Sequence, residues 1–167
     1  MNKVIVDLGC GTSKVSGAIG IDRLSHPGVN IICDFETSLP LKSDSVDTLH
    51  ASHVIEHIAN LIPFMEEIYR VCKPGALVYI TSPYYTSRGA YRDPTHVRFI
   101  AEDTFPYFQD PTPYGIKTNF QVQRIHYKYR TIFRVFPELI RKIFRKHLWN
   151  VADELSVVLE VMPGPYK

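Results

Sequence analysis

The apolar positions of this chain fall in short runs, each closed by glycine, aspartate or proline, with one clear stretch of helical spacing among them. Lys3 to Leu8 (KVIVDL) is a β-branched run ending at a glycine, the pattern of a buried strand. Shorter runs of the same kind predict strands at 18–22 (AIGID), 29–33 (VNIIC), 45–51 (SVDTLHA) and 76–82 (ALVYITS). Between Asn60 and Cys72, Leu61, Ile62, Met65, Ile68, Tyr69 and Cys72 recur at helical spacing, with Asn60 as a candidate cap, Pro63 tolerated in the first turn, and Lys73-Pro74-Gly75 as the stop. Residues 120–133 alternate in part and predict a strand or hairpin arm, and 155–161 (LSVVLEV) predict the last strand. Between them, 137–148 (PELIRKIFRKHL) predict a basic amphipathic helix. Its stripe of Leu139, Ile140, Ile143, Phe144 and Leu148 is expected to pack on a sheet rather than in a bilayer, leaving Arg141, Lys142, Arg145 and Lys146 solvated.

Strands alternating with a crossover helix predict an α/β fold with an open, mostly parallel sheet. Ligands of such sheets bind beyond the carboxyl ends of the strands, and Gly9, Asp22, Asp34, His53 and Pro83 all fall at or just past predicted ends. The turn after the first strand (DLGCGTSKVSGAIGID) fits neither common phosphate-binding pattern. A G-x-G-x-x-G turn needs glycine at position 14, which is Lys14; a G-x-x-x-x-G-K-[ST] loop finds Ser16 five residues after Gly11.

With 167 residues, 45% of them hydrophobic and 22% charged, the chain has the composition and length of one globular domain, 1–167, with a core of its own. Its net charge of +2 hides an asymmetry: 1–116 carry 9 Lys and Arg against 13 Asp and Glu, 117–167 carry 10 against 4. Cys10, Cys33 and Cys72 are odd in number and form no C-x-x-C pair, so they are expected as buried free thiols. The start, MNKVIVDLGC, has too few apolar residues for a signal peptide or membrane span, and a cytoplasmic location is expected.

DLGCG at a strand end, an acidic residue closing the next strand, then SLPLKSDSVDTLHASHVIEHI and EIYRVCKPGALVYITSP in that order, resemble the class I (Rossmann-like) S-adenosylmethionine-dependent methyltransferases, in particular small type 11-like bacterial members. The resemblance spans residues 4–83, about half the chain; YRDPTHVRFIAEDTF resembles the segment after the sheet in some members more loosely. It implies an antiparallel last strand, S-adenosylmethionine as cofactor and S-adenosylhomocysteine as product. It divides the chain into a cofactor half, 1–83, and a substrate half, 84–167. The implied cofactor residues are Asp7 toward the ammonium, Gly9 and Gly11 against the methionine part, Asp22 for the ribose hydroxyls, Asp34 for the adenine amino group, Phe35 and Leu39 as apolar cover, and His53 near the cofactor. The departure is the interval. Ten residues separate Gly11 from Asp22, against about twenty in dinucleotide-binding domains, so the first crossover helix is deleted or reduced to one turn at 13–16. One sheet face is then thinly covered, and an open site or a homodimer partner over that face is expected.

Residues 82–99 (SPYYTSRGAYRDPTHVRF) supply the acceptor side, where His96, Asp93 and His53 are the candidate catalytic groups, as base or as positioning residues. Their arginines lean toward an anionic or sugar-containing small-molecule acceptor. His53, Glu56 and His57 also spell H-x-x-E-H, an inverted zinc-hydrolase motif, but the pattern is short and follows a strand rather than lying in a long helix, so no metal ligand set is assigned. Nucleic acid is disfavoured as partner for want of a stacking module. The alternative to an enzyme is a non-catalytic module that keeps the S-adenosylmethionine pocket.

Overall fold

A computed structural model describes residues 3–109 and 114–166. Seven strands form one sheet in the order β3-β2-β1-β4-β5-β7-β6. β1 (Ile5–Leu8), β2 (Ile19–Asp22), β3 (Ile31–Ile32), β4 (Val46–Ser52) and β5 (Cys72–Pro83) run parallel. β6 (Phe120–Tyr129) and β7 (Ala152–Val161) close the sheet, β7 lying antiparallel to both β5 and β6. This is the expected open α/β sheet, with antiparallel pairing at its last strands.

Between β1 and β2 the chain makes turns only, with Ser13 N–H donating to the Cys10 carbonyl and Ala18 N–H to that of Val15. The first crossover helix is therefore absent rather than shortened. No helix covers the β2–β3 or β3–β4 connections either.

The consequence is written in the strands. Paired neighbours Val6, Leu49, Val78, Leu159 are fully buried, and so are Leu8, Ala51 and Ile80 to within 1%. The alternate residues Thr48, His50, Leu77, Tyr79 and Val158 line the other face, and each keeps solvent exposure. A parallel sheet covered on both faces reads as continuous apolar runs; this one alternates because one face is largely bare. On that face His50 and Tyr79 stack, 4.9 Å between centroids, and burial pushes the His50 imidazole below its ordinary range.

α1 (Leu61–Val71) packs on the covered face through Leu61, Phe64, Met65, Ile68 and Tyr69. Phe64 takes the place the sequence reading gave to Ile62, which is exposed: positions i, i+3, i+4, i+7 and i+8 from Leu61 define the buried stripe, and Ile62 lies off it. Asn60 precedes the helix without a side-chain capping bond, and Cys72 passes directly from helix into β5. The 3-10 turn Glu102–Phe108 completes the covered layer with Phe105 and Phe108.

α3 (Glu138–His147) keeps the expected orientation only in part: Ile140 and Phe144 are half-buried, Phe144 against the core, and Lys142 and Lys146 are exposed, but the rest is reversed. Leu139, Ile143 and Leu148 are exposed, whereas Arg145 is buried. The guanidinium carbon of Arg145 stands 3.5 Å from the Tyr127 ring centroid, and its nitrogens meet Tyr129 Oη at 2.7 Å and Glu102 Oε1 at 3.3 Å. Tyr84 donates to Glu102 Oε2 at 2.8 Å. These partners outcompete the apolar stripe because the inner surface offered to α3 is a carboxylate among phenols. Among the described residues no helix is long and apolar enough to cross a membrane.

Candidate functional site

The site is built on the carboxyl ends of β1, β2, β4 and β5. Gly9 leaves β1 at φ +61, its N–H donating to the Ile21 carbonyl at 2.8 Å, so the turn is tied to β2 as it forms. Asp22 Oδ2 accepts from Gly11 N–H at 2.8 Å and Oδ1 from Leu24 N–H at 2.9 Å. Asp7, buried on the thinly covered face, accepts from Val15 N–H at 2.8 Å. Two carboxylates thus hold the 9–18 loop where a helix would otherwise define it. Below the loop runs a groove of about 360 Å³ lined by Asp7, Gly9, Ser13, His50, Ser52 and Thr81 among others.

Asp34 follows β3 and is exposed. Its Oδ1 takes Arg23 Nη2 at 2.8 Å and Glu36 N–H at 3.2 Å, and these two hold its carboxyl below the ordinary range. Arg23 also pairs with Glu36 at 2.6 Å and lies 5.5 Å from the Phe35 ring. Phe35 and Leu39 are core residues, Phe35 tilting against Phe64 at 6.2 Å. Arg23 is a member of this edge that sequence reasoning missed, because its partners come from another connection.

The three catalytic candidates converge. His53, Asp93 and His96 line a second, larger cavity of about 620 Å³ together with Arg88, Arg92 and Lys128. His53 sits just past β4 at φ +55, its N–H donating to the Thr81 carbonyl at 2.8 Å. Its Nδ1 lies 3.2 Å from Glu56 Oε1, and that bond outweighs burial to raise the imidazole above its usual range. Asp93 Oδ1 accepts from the Thr95 hydroxyl at 2.6 Å and the Thr95 N–H at 2.9 Å; both hold the carboxyl low, so near neutral pH Asp93 receives hydrogen bonds rather than carrying protons. His96 Nδ1 lies 2.9 Å from the Ala90 carbonyl. Lys128 and Arg130, which line the same cavity, had no local signal: pairing of β6 and β7 beside β5 brings them there.

The H-x-x-E-H stretch is not one helix. His53 lies outside the 3-10 turn Ile55–His57, so His53 and His57 do not share a helical face as zinc ligands require.

The fold and this edge, a Rossmann-like α/β domain with an abbreviated glycine turn and an acid at the end of the second strand, are similar to those of the class I S-adenosylmethionine-dependent methyltransferases. Residues 18–80 match the family described as "Methyltransferase domain". The chain is similar to the mitochondrial ubiquinone biosynthesis O-methyltransferase of Rattus norvegicus, 37% identical over 51 residues, a match covering 30% of this chain and 15% of that protein. The matched stretch is thus a small part of that relative. Among solved structures, a SAM dependent methyltransferase from Archaeoglobus fulgidus aligns with a TM-score of 0.66 at 18% identity, over 95% of this chain and 86% of that one. The cyclase SpnF aligns with a TM-score of 0.64 at 15% identity, over 98% and 76%.

S-adenosylmethionine is the cofactor of this superfamily, and the residues present fit it. The glycine turn exposes backbone at the groove, and each Asp22 oxygen has accepted one N–H, which leaves a lone pair for a hydroxyl. Asp34 bonds Arg23 and Glu36 N–H through Oδ1 and is exposed, so Oδ2 can accept from an exocyclic amine.

Proposed function

We propose that this chain is an S-adenosylmethionine-dependent methyltransferase acting on a small anionic acceptor. One observation carries the reading: consecutive residues Ser52 and His53, at the end of β4, line the groove at the glycine turn and the larger histidine-lined cavity respectively. A donor site and an acceptor site therefore meet at one strand end, as an in-line displacement requires.

When bound, the cofactor supplies an activated methyl group on a sulfonium. The protein's part is positional. Asp22 takes the ribose, Asp34 the adenine edge, and Gly9 and Gly11 admit the methionine portion to the backbone, with Asp7 facing the ammonium side. The acceptor cavity has a mixed lining: Lys128 pairs with Glu154 at 2.7 Å and Arg130 with Asp153 at 3.7 Å, while Arg88 and Arg92 are the groups suited to a carboxylate or phosphate. His53, held by Glu56 at 3.2 Å, and His96, whose Nε2 stands 3.9 Å from Asp93, line the acceptor side of that cavity. The ubiquinone-pathway relative named above acts, by its name, as an O-methyltransferase, which agrees with a small-molecule acceptor.

A second reading is a cofactor-binding module without methyl transfer. The lost crossover and the likeness to a cyclase favour it, since the fold alone does not fix the reaction.

The test is calorimetric titration with S-adenosylhomocysteine. Micromolar binding is expected, weakened about 10- to 100-fold in Asp22→Ala, as loss of charged hydrogen bonds predicts. No binding to the intact protein would refute both readings, and binding without turnover across an acceptor panel would leave the module.

A further inference from the structure

The broken H-x-x-E-H stretch brings two of its members to a third residue far along the chain. The Glu56 carbonyl accepts from Val97 N–H at 2.9 Å and Arg98 N–H at 3.2 Å, and Arg98 reaches back to the carbonyls of Ile58 and Ala59. The loop after α2 (Arg88–Arg92) is thereby clamped over the turn that follows β4. His96 comes against His57, ring centroids 4.7 Å apart and edge-on. One carboxylate oxygen of Glu56 and one ring nitrogen each of His57 and His96 lie within 4.8 Å of one another. Three ligands about 2.1 Å from a common ion stand roughly 3 to 3.5 Å apart, so side-chain adjustments of about an ångström close the set.

Two further observations point to a ligand. Glu56 is 1% exposed, and its Oε2 is buried with no hydrogen-bond partner. A carboxylate oxygen in that state bears a desolvation cost that a cation removes. Both imidazoles are also oriented as ligating histidines are. His96 Nδ1 faces the Ala90 carbonyl at 2.9 Å, an acceptor that only a protonated nitrogen satisfies, and His57 Nδ1 lies 3.0 Å from the Thr95 hydroxyl and 3.3 Å from the Thr95 carbonyl. With Nδ1 engaged by these oxygens, Nε2 is the nitrogen each ring has left for an ion, the arrangement in which a backbone carbonyl supports a metal-bound ring.

We propose that Glu56, His57 and His96 form a site for a divalent transition-metal ion in the wall of the acceptor cavity. Two imidazoles and one carboxylate select zinc, manganese, iron or cobalt over magnesium or calcium, which take oxygen ligands. Three protein ligands leave coordination positions open to the 620 Å³ cavity that these same residues line. The role of the site rests on the methyltransferase reading: an acceptor hydroxyl enters an open position and loses its proton to cavity water. Its oxygen then forms the new bond to the methyl carbon as the carbon–sulfur bond of the sulfonium breaks, leaving a neutral thioether. The acceptor atom is then oxygen, and Arg88 and Arg92 are placed in the same lining to hold an anionic group beside it.

The test uses chelator-stripped full-length protein titrated calorimetrically with zinc chloride and with manganese chloride, beside His57→Gln and His96→Gln. Each sample is also titrated with S-adenosylhomocysteine. Stoichiometric, micromolar or tighter binding is expected for the parent protein, with affinity reduced at least 100-fold in either variant while the homocysteine ligand still binds. Zinc should also raise the melting temperature of the unmodified protein, and chelator should reverse the rise, a readout independent of whether a variant folds. No stoichiometric binding and no thermal shift overturn the site, as does unchanged affinity in both variants. Metal binding without any homocysteine-ligand binding leaves the site standing and removes its role in methyl transfer.

Discussion

Gly9 and Gly11 stand two residues apart, both at positive φ, yet they answer to different constraints. A Cβ on Gly9 would meet Val54 Cγ2 at 2.5 Å, and Val54 is itself buried, so neither side can yield. A Cβ on Gly11 meets nothing within 4 Å. Gly11→Ala should therefore cost only the conformational strain, about 1 kcal/mol, whereas Gly9→Ala adds overpacking and should cost about 2 to 4 kcal/mol. Urea denaturation of the two variants reads the difference; equal losses would mean that contact with Val54 contributes nothing. At this scale the sequence was informative wherever the signal was local. The glycine turn and Asp22 were readable because a strand, its turn and the next strand's acid lie within about twenty positions. The partnership of His57 with His96 was not readable, since it depends on how a distant loop folds back.

α3 shows why helical periodicity locates an element better than it orients one. Its extent was predicted within a residue at each end, but its inward face only in part, Phe144 packing inward and Arg145 unexpectedly beside it. Amphipathicity assigns the apolar stripe inward by default, whereas the surface actually offered is Glu102 with Tyr84, Tyr127 and Tyr129. Burial works to raise the Glu102 carboxyl, but its own backbone N–H, the Tyr84 hydroxyl and the Arg145 charge hold it below the usual range. Arg145→Met keeps the stem and strands that carboxylate, and should cost about 3 kcal/mol; Leu139→Gln, at an exposed position, should stay within about 0.5 kcal/mol. Thermal unfolding that ranks the two the other way would return the stripe to the core. α1 provides a pH-dependent counterpart. Glu67 pairs with Arg70 at 2.8 Å and accepts from Leu39 N–H at 3.0 Å, while Arg70 donates to the carbonyls of Leu39 and Leu41, so the pair fastens the 39–43 loop to the helix. Arg70 holds the Glu67 carboxyl below its ordinary value, against the effect of burial. A carboxyl depressed in the folded state contributes stability that is fully present above its unfolded pKa of about 4.3 and is lost as pH falls through the folded value. Glu67→Gln should therefore lose stability at neutral pH and show a shallower decline below about pH 5 than the parent protein. Parallel stability–pH curves for the two proteins would exclude the linkage.

Over the whole molecule, secondary structure and burial are distributed unevenly. β4, β5, β7 and β6 are long, mutually paired and backed by α1 and the Glu102–Phe108 turn, whereas β2 and β3 have four and two residues and no covering helix in their connections. Local opening free energies fall where buried contacts are few, so amide exchange across 19–32 should be faster than across 77–81 and 155–161. The absent crossover helix thus puts the edge that carries Asp22 and Asp34 at the less stable end of the sheet. The alternation of buried and exposed residues in β4 and β5 already carried that information, since a strand covered on both faces has no reason to place Thr48, His50 and Tyr79 between apolar neighbours. On the proposed reading, a cofactor tying Asp22 and Asp34 to the glycine turn would replace part of the missing connection with its own contacts. Its binding should therefore slow exchange most strongly in 9–35 and stabilise the fold by about 2.7 kcal/mol at a hundredfold excess over Kd. Hydrogen exchange with and without S-adenosylhomocysteine measures both quantities. Protection confined to the acceptor loop, with 9–35 unchanged, would place the ligand elsewhere and detach the glycine turn from cofactor binding.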